Sequence, residues 1–226
     1  MKERESMKQQ KKSGVETSSV AWFKLAEYVG RGERERALNL YRLLTHSLVD
    51  QAFIKKLEAD LWIAFDAKEA EECYKSAAYL YKIAGKHTEA FLMYQLLCER
   101  YGPTLHYLEQ CFELAAFLEL DAKKHFFVKK LMAELVEKGA FVRALSLFQL
   151  YEKVLSNSEK IKFYRHFVIV ALRCGYDDPS VIQDYTQKMI TLSLKQHEGG
   201  QVHHFLNDLQ PLHEGLYKHA VHYASV

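Results

Sequence analysis

Apolar residues along this chain recur at intervals of three and four, the period of an amphipathic helix. Phe53, Leu57, Leu61 and Phe65 repeat every four residues, and Val181, Tyr185, Met189 and Leu192 run in helical phase further on. Tyr107, Cys111, Leu114 and Leu118 do the same in the middle of the chain. β-branched residues are scattered through these phases, and no stretch sustains a period-two alternation. The pattern therefore predicts helices and no sheet. The helices it draws span about 21–29, 33–48, 50–65, 68–84, 87–101, 103–119, 123–138, 142–155, 160–173, 179–195 and 202–223. Pro103 and Pro179 suit first helical positions, where a missing N–H costs nothing. Asp66 and Asp178 suit N-caps, as does the stretch Thr17-Ser18-Ser19. Pro211 is expected to kink the last helix or split it.

Three of the breaks share a wider pattern. Gly32, Gly85 and Gly139 are each followed five residues later by an alanine: Ala37, Ala90 and Ala144. An aromatic follows four residues after each alanine: Tyr41, Tyr94 and Phe148. Such a recurring turn-and-helix signal points to a repeat architecture. Two spacings compete. The three glycines are 53 and 54 residues apart, which holds three helices. The set Gly32, Asp66, Gly102, Gly139 and Gly175 is spaced by 34, 36, 37 and 36, which holds two. Consecutive antiparallel helices alternate direction, so a two-helix unit keeps every turn of the set at one end. Stacked hairpins with a period near 36 are the expectation on that ground.

The stretch Gly85 to Ala90 with Tyr94, preceded by Ala78 and Tyr81, resembles a tetratricopeptide repeat. Gly32 to Ala37 with Tyr41 and Gly139 to Ala144 with Phe148 resemble the same motif. The turns at Asp66, Gly102 and Gly175 depart from it, with Glu71, Tyr107 and Ser180 where the alanine would stand. The resemblance covers about residues 19–175 in general architecture and is that of a degenerate array. It implies an all-α, right-handed superhelical solenoid of antiparallel hairpins, with small residues where paired helices cross. It also implies a groove walled by the first helix of each hairpin. Trp22, Lys56, Lys86, Lys123 and Tyr164 would lie on that wall and meet a protein or peptide partner.

Composition narrows the function classes. The chain has 226 residues, 49% of them hydrophobic, which is ample for a sizeable core. Three organisational segments are expected: a disordered polar tail at 1–18, a helical array at 19–196, and a His-rich capping helix at 197–226. The 31 Lys and Arg against 29 Asp and Glu leave a net charge of +2, too small to point to nucleic acid. The lysine doublets at 55–56, 123–124 and 129–130 are dispersed, each near balancing carboxylates. The N-terminal stretch is charged, and no later stretch approaches a membrane span. A cytoplasmic protein is the expectation. The four cysteines, Cys73, Cys98, Cys111 and Cys174, form no CxxC pair and read as buried thiols in a reducing compartment.

Catalytic signatures are absent from the sequence. It has no GxSxG elbow, no GxGxxG and no phosphate-binding loop. His87 and Cys98 are eleven residues apart, about 16 Å along one helix, and so out of hydrogen-bond reach. Six of the eleven histidines crowd the last thirty residues. His219 and His222 are three apart and share a helical face, the one candidate metal pair; a zinc site needs three or four ligands. The expectation is a non-catalytic protein-binding scaffold or adaptor that needs no cofactor. The alternatives are a globular helical chaperone or regulatory subunit, and a metal- or nucleic-acid-dependent activity at the His-rich end.

Overall fold

A computed structural model describes residues 20–225, and every regular element among them is helical. In order these are α1 (20–30), α2 (Arg34–Thr45), α3 (Gln51–Ala64), α4 (Ala70–Ile83), α5 (His87–Tyr101) and α6 (Leu105–Phe117). They continue with α7 (Asp121–Glu137), α8 (Phe141–Tyr151), α9 (Asn157–Arg173), α10 (Pro179–Lys195), α11 (Gly199–Leu209) and α12 (Glu214–Ser225). The tail at 1–18 and the Thr17–Ser19 cap lie outside the described residues. No helix among the described residues is long and apolar enough to cross a membrane.

Local chemistry explains most boundaries. Asp178 caps α10 as expected, accepting the N–H of Val181 at 3.2 Å, with Pro179 opening the helix. Hydrogen bonds from Ser180 and Val181 hold the Asp178 carboxyl below its usual range. Ser156 and Glu159 form a reciprocal capping box, so α9 begins at Asn157, three residues earlier than expected. Two expectations are corrected. Asp66 caps nothing: it closes α3 in the left-handed region at φ +51°, while the N–H of Ala67 reaches back to the carbonyl of Trp62. Pro103 does not open α6; Thr104 accepts the N–H of Tyr107 at 3.3 Å, and the helix starts at Leu105. The region of Pro211 is a split: α11 and α12 replace the single C-terminal helix. His213 Nδ1 accepts the N–H of Leu216 at 3.0 Å at the opening of α12.

The turns fall into more than one backbone geometry. At Gly32, Gly85 and Gly139 one residue has φ between +71° and +72°. The next residue, Glu33, Lys86 or Ala140, has φ near −80° and ψ of 52–68°, and the second helix follows at once. The N–H groups of those three residues bond to the carbonyls of Tyr28, Tyr81 and Leu135 and so close the first helix. His197 (φ +59°) with Glu198 repeats the geometry without glycine, as does the backbone at Glu119 (φ +56°) and Leu120. The 36-residue set mixes connection types: Asp66 and Gly175 lie in five-residue links, and Gly102 lies in a three-residue link of different backbone geometry, with φ +94° and ψ 153°. The same connection thus recurs at Gly32, Gly85, Glu119, Gly139 and His197, a set that neither regular spacing covers. At the three glycine turns the residue five positions on, Ala37, Ala90 or Ala144, is fully buried, whereas the turns at Glu119 and His197 carry Lys124 and Val202 there.

The chain divides into two compact units. The described part of the first comprises residues 20–103 and 113–119; that of the second comprises 104–112 and 120–225. In the first, Leu25, Ala37, Tyr41, Leu44 and Leu61 join α1, α2 and α3 in one apolar cluster, and the Tyr41 hydroxyl donates to the carbonyl of Ile54 at 2.9 Å. In the second, seven aromatic rings share a core: Phe141, Phe148, Phe163, Tyr164, Phe167, Tyr176 and Tyr185. Successive helices pack as pairs, α3 with α4, α4 with α5, α7 with α8 and α9 with α10. Helices two apart also touch, as α7 with α9, α9 with α11 and α10 with α12 do. The fold is all-α among the described residues, and this neighbour relation is consistent with a helical-repeat architecture in general.

One buried-edge group gives the second unit an acid dependence. Glu159 accepts from Lys129 Nζ at 2.6 Å and from the Ser156 backbone at 2.9 Å, and meets His125 at 3.2 Å. The Lys129 ammonium foremost, then the Ser156 and His125 contacts, holds its carboxyl at about 2 against burial. A depressed folded value means this stability is fully present above the usual carboxylate range near 4.5 and is lost as pH falls toward 2. Glu159→Ala is expected to cost about 1–2 kcal/mol at pH 7. Chemical denaturation across pH 5 to 2 checks this: the variant should lose less stability on acidification than the parent, and equal losses would refute the assignment.

Candidate partner-binding cleft

The five residues proposed for a partner wall meet different fates. Trp22 on α1 is half-buried and packs against the first unit's apolar cluster. Lys56 is matched within α3 by Asp60 at 2.7 Å, and the same carboxylate accepts the Tyr74 hydroxyl. Lys86 bonds to Asp50, which also caps α3 through the N–H of Phe53, and so ties the start of α5 to the start of α3. Hydrogen bonding to Lys86 foremost pulls the Asp50 carboxyl below its usual range. Lys123 is exposed on the first turn of α7. Tyr164 is buried on α9, yet its hydroxyl edge opens onto a cleft.

That cleft has a volume of about 350 Å³ and lies between α9, α10 and α12 in the second unit. Asn157, Lys160 and Tyr164 face it from α9, at helical spacing. Asp184, Gln187, Lys188, Thr191 and Lys195 face it from α10, again at steps of three and four. Tyr223 closes one side, its hydroxyl 3.1 Å from Thr191 Oγ1. The Tyr164 ring packs on Phe148 and Tyr185 at centroid distances of 5.3 Å each, which fixes the direction of its hydroxyl. The hydroxyl donates to Glu152 Oε1 at 3.1 Å. Burial first, and the Glu152 carboxylate second, push the Tyr164 phenol far above its ordinary range. The phenol is thus held as a donor. Tyr185 behind it is pushed up to about 12, again by burial first. Lys188 Nζ lies 2.6 Å from Asp184 and 4.9 Å from the Tyr185 ring centre.

Two further clefts occur in this unit. One, of about 470 Å³, has mainly apolar walls including Leu172, Tyr176, Ile182 and Leu216, with His213, His219 and Gln183 as its polar groups. The other, of about 360 Å³, lies between α7 and α9 and carries His166 beside the Lys129–Glu159 pair. His219 Nε2 is 3.1 Å from Gln183 Nε2, and His222 is exposed. Among the described residues no three His, Cys, Asp or Glu side chains converge as a metal site would require. The four cysteines are free thiols; Cys98 and Cys111 are buried, Cys73 is half-buried, and Cys174 is exposed, against the expectation of burial for all four.

Of the residues that make the Tyr164 cleft, sequence reasoning named Tyr164 alone. The α10 stripe from Asp184 to Lys195 carried a findable signal, polar residues at helical spacing opposite the apolar stripe. That it shares a space with Asn157 and Lys160 depends on how α9 and α10 are set side by side. Comparison of the chain with protein-family models and with curated proteins gives no match.

Proposed function

We propose that the chain is a non-catalytic, tetratricopeptide-like scaffold that holds a segment of a partner protein. The observation that carries this reading is the cleft around Tyr164. Asp184 and Lys195 stand eleven positions apart on α10. That is about 16 Å along the helix, room for about five residues of extended chain. The walls offer amide, hydroxyl, ammonium and carboxylate groups on rigid helices, which suits side-chain recognition of a peptide. Buried crossing alanines and buried aromatics at Tyr41, Tyr94 and Phe148 support the repeat resemblance.

The test is a panel of immobilised eight-residue peptides of varied charge and hydropathy, probed with the full chain. A subset should be retained, and the retention should be lost in Gln187→Trp, whose indole fills the cleft. Uniform background across the panel, or retention indifferent to Gln187→Trp in a variant that melts normally, overturns the reading.

A further inference from the structure

The cleft around Tyr164 has a charge balance that selects among peptides. Three ammonium groups line it, on Lys160, Lys188 and Lys195, against two carboxylates, on Glu152 and Asp184. Lys188 and Asp184 neutralise each other at 2.6 Å. The Glu152 carboxylate accepts the Tyr164 hydroxyl and keeps its charge, so the lining carries a net charge of +1. Whereas Lys188 and Asp184 pair, Lys160 and Lys195 have, among the described residues, no carboxylate within ion-pair distance. Both stand near one end of the cleft, Lys160 in the first turns of α9 and Lys195 in the last turn of α10. The end of α9 (Leu172) and the start of α10 (Pro179) line another cleft, and the start of α9 (Asn157, Lys160) and the end of α10 (Lys195) line this one. The start of α9 therefore lies beside the end of α10. Asn157 adds an amide donor at that end.

We propose that this cleft takes an acidic protein segment, with Lys160 and Lys195 receiving its carboxylate side chains. The proposal rests on the protein-binding reading above and specifies its ligand. A basic segment would add ammonium groups to a cleft whose net charge is already positive, and would find Asp184 paired with Lys188. A neutral segment would leave the two lysines hydrated and contribute no charge pairing. An acidic one matches both, and the length of the α10 stripe lets several residues lie along it. Charge pairs at such a partly exposed site govern which partner is chosen more than how tightly it holds.

The experiment is fluorescence polarisation with the full chain and three labelled eight-residue probes, alternating glycine with glutamate, with glutamine or with lysine. The glutamate probe should bind, and the glutamine and lysine probes should bind at least about tenfold more weakly. The pair Lys160→Glu and Lys195→Glu should weaken the glutamate probe by about twentyfold or more. Lys162→Glu, two residues from Lys160 but facing the α7–α9 cleft, should leave binding within about twofold. Raising salt from about 50 to 500 mM should weaken the glutamate probe several-fold. Equal binding of the three probes, or an unaltered glutamate affinity in the double variant, overturns the acidic assignment. Displacement of the glutamate probe by about 1 mM inorganic phosphate also overturns it, since the site would then read a single anion. The wider peptide panel separates the failures: retention there with no acid preference refutes this inference alone, and no retention refutes the protein-binding reading as well.

Discussion

Phe148→Ala is expected to cost about 3–5 kcal/mol of unfolding free energy, the largest effect of any single substitution considered. Phe148 is 1% exposed. Its ring lies parallel to Phe163, with centroids 4.2 Å apart and planes 7° from each other, and tilts against Tyr164 at 5.3 Å. Tyr185 meets it edge-on at 6.2 Å. Removing the ring deletes the transfer energy of a buried aromatic, opens a cavity among rings that cannot close on it, and loses the ring–ring attractions. The measurement is denaturant unfolding of parent and variant. Leu150→Ala, two positions away on α8 but 73% exposed, should change stability by under about 0.5 kcal/mol and serves as the internal control. A cost below about 1.5 kcal/mol for Phe148→Ala would mean that the ring cluster is not a packed core. The loss should also reach the cleft, because Phe148 is one of the rings that orient Tyr164.

The second large effect is expected from adding volume. Ala90 is fully buried on α5, five residues after Gly85, and Ala77 and Ala78 on the facing α4 are fully buried too. The link of Ala84, Gly85 and Lys86 gives the two helices no slack: Gly85 has φ +71°, and the Lys86 N–H is bonded to the Tyr81 carbonyl. Ala90→Leu must therefore force the helices apart or strain the turn, at about 1–3 kcal/mol. Thermal or denaturant unfolding would show it. Leu92→Ala on the same helix, where the side chain is 51% exposed, should be nearly silent. If Ala90→Leu were neutral, the crossing would be looser than the turn geometry requires, and the alanine would owe its place to helix propensity alone.

The legible parts of the molecule are those where neighbouring residues settle the outcome. Helical period set the order of elements and all but the division of the last one into α11 and α12, and α10 was placed to the residue because Asp178 and Pro179 form a complete start signal. The three Gly–Ala–aromatic turns were also read correctly, since αL geometry, a small buried residue and a buried ring are all encoded within ten residues. Errors arose where one residue has two local uses. Asp66 can cap a following helix or close a preceding one, and its spacing from Ala70 decided for the second. Pro103 can open a helix or precede a cap, and the Thr104 hydroxyl decided for the latter.

The candidate site divides in the same way. The sequence by itself determined an all-helical chain, its turns, and which face of each helix is apolar, because these follow from backbone sterics and from water's exclusion of apolar stripes. Tertiary structure decided which polar faces look at one another. Tyr164 and Lys160 are four residues apart and share a face of α9 by helix geometry, so their common side was implicit. Lys195 joins Lys160 at one cleft only because α9 and α10 pack against each other through Phe148, Tyr164, Phe167 and Tyr185. Lys56 and Lys86, equally plausible in sequence, meet Asp60 and Asp50. Whether a lysine's charge is matched depends on which carboxylate lies within about 4 Å, and for partners brought from another helix that distance is set by the packing of the apolar core.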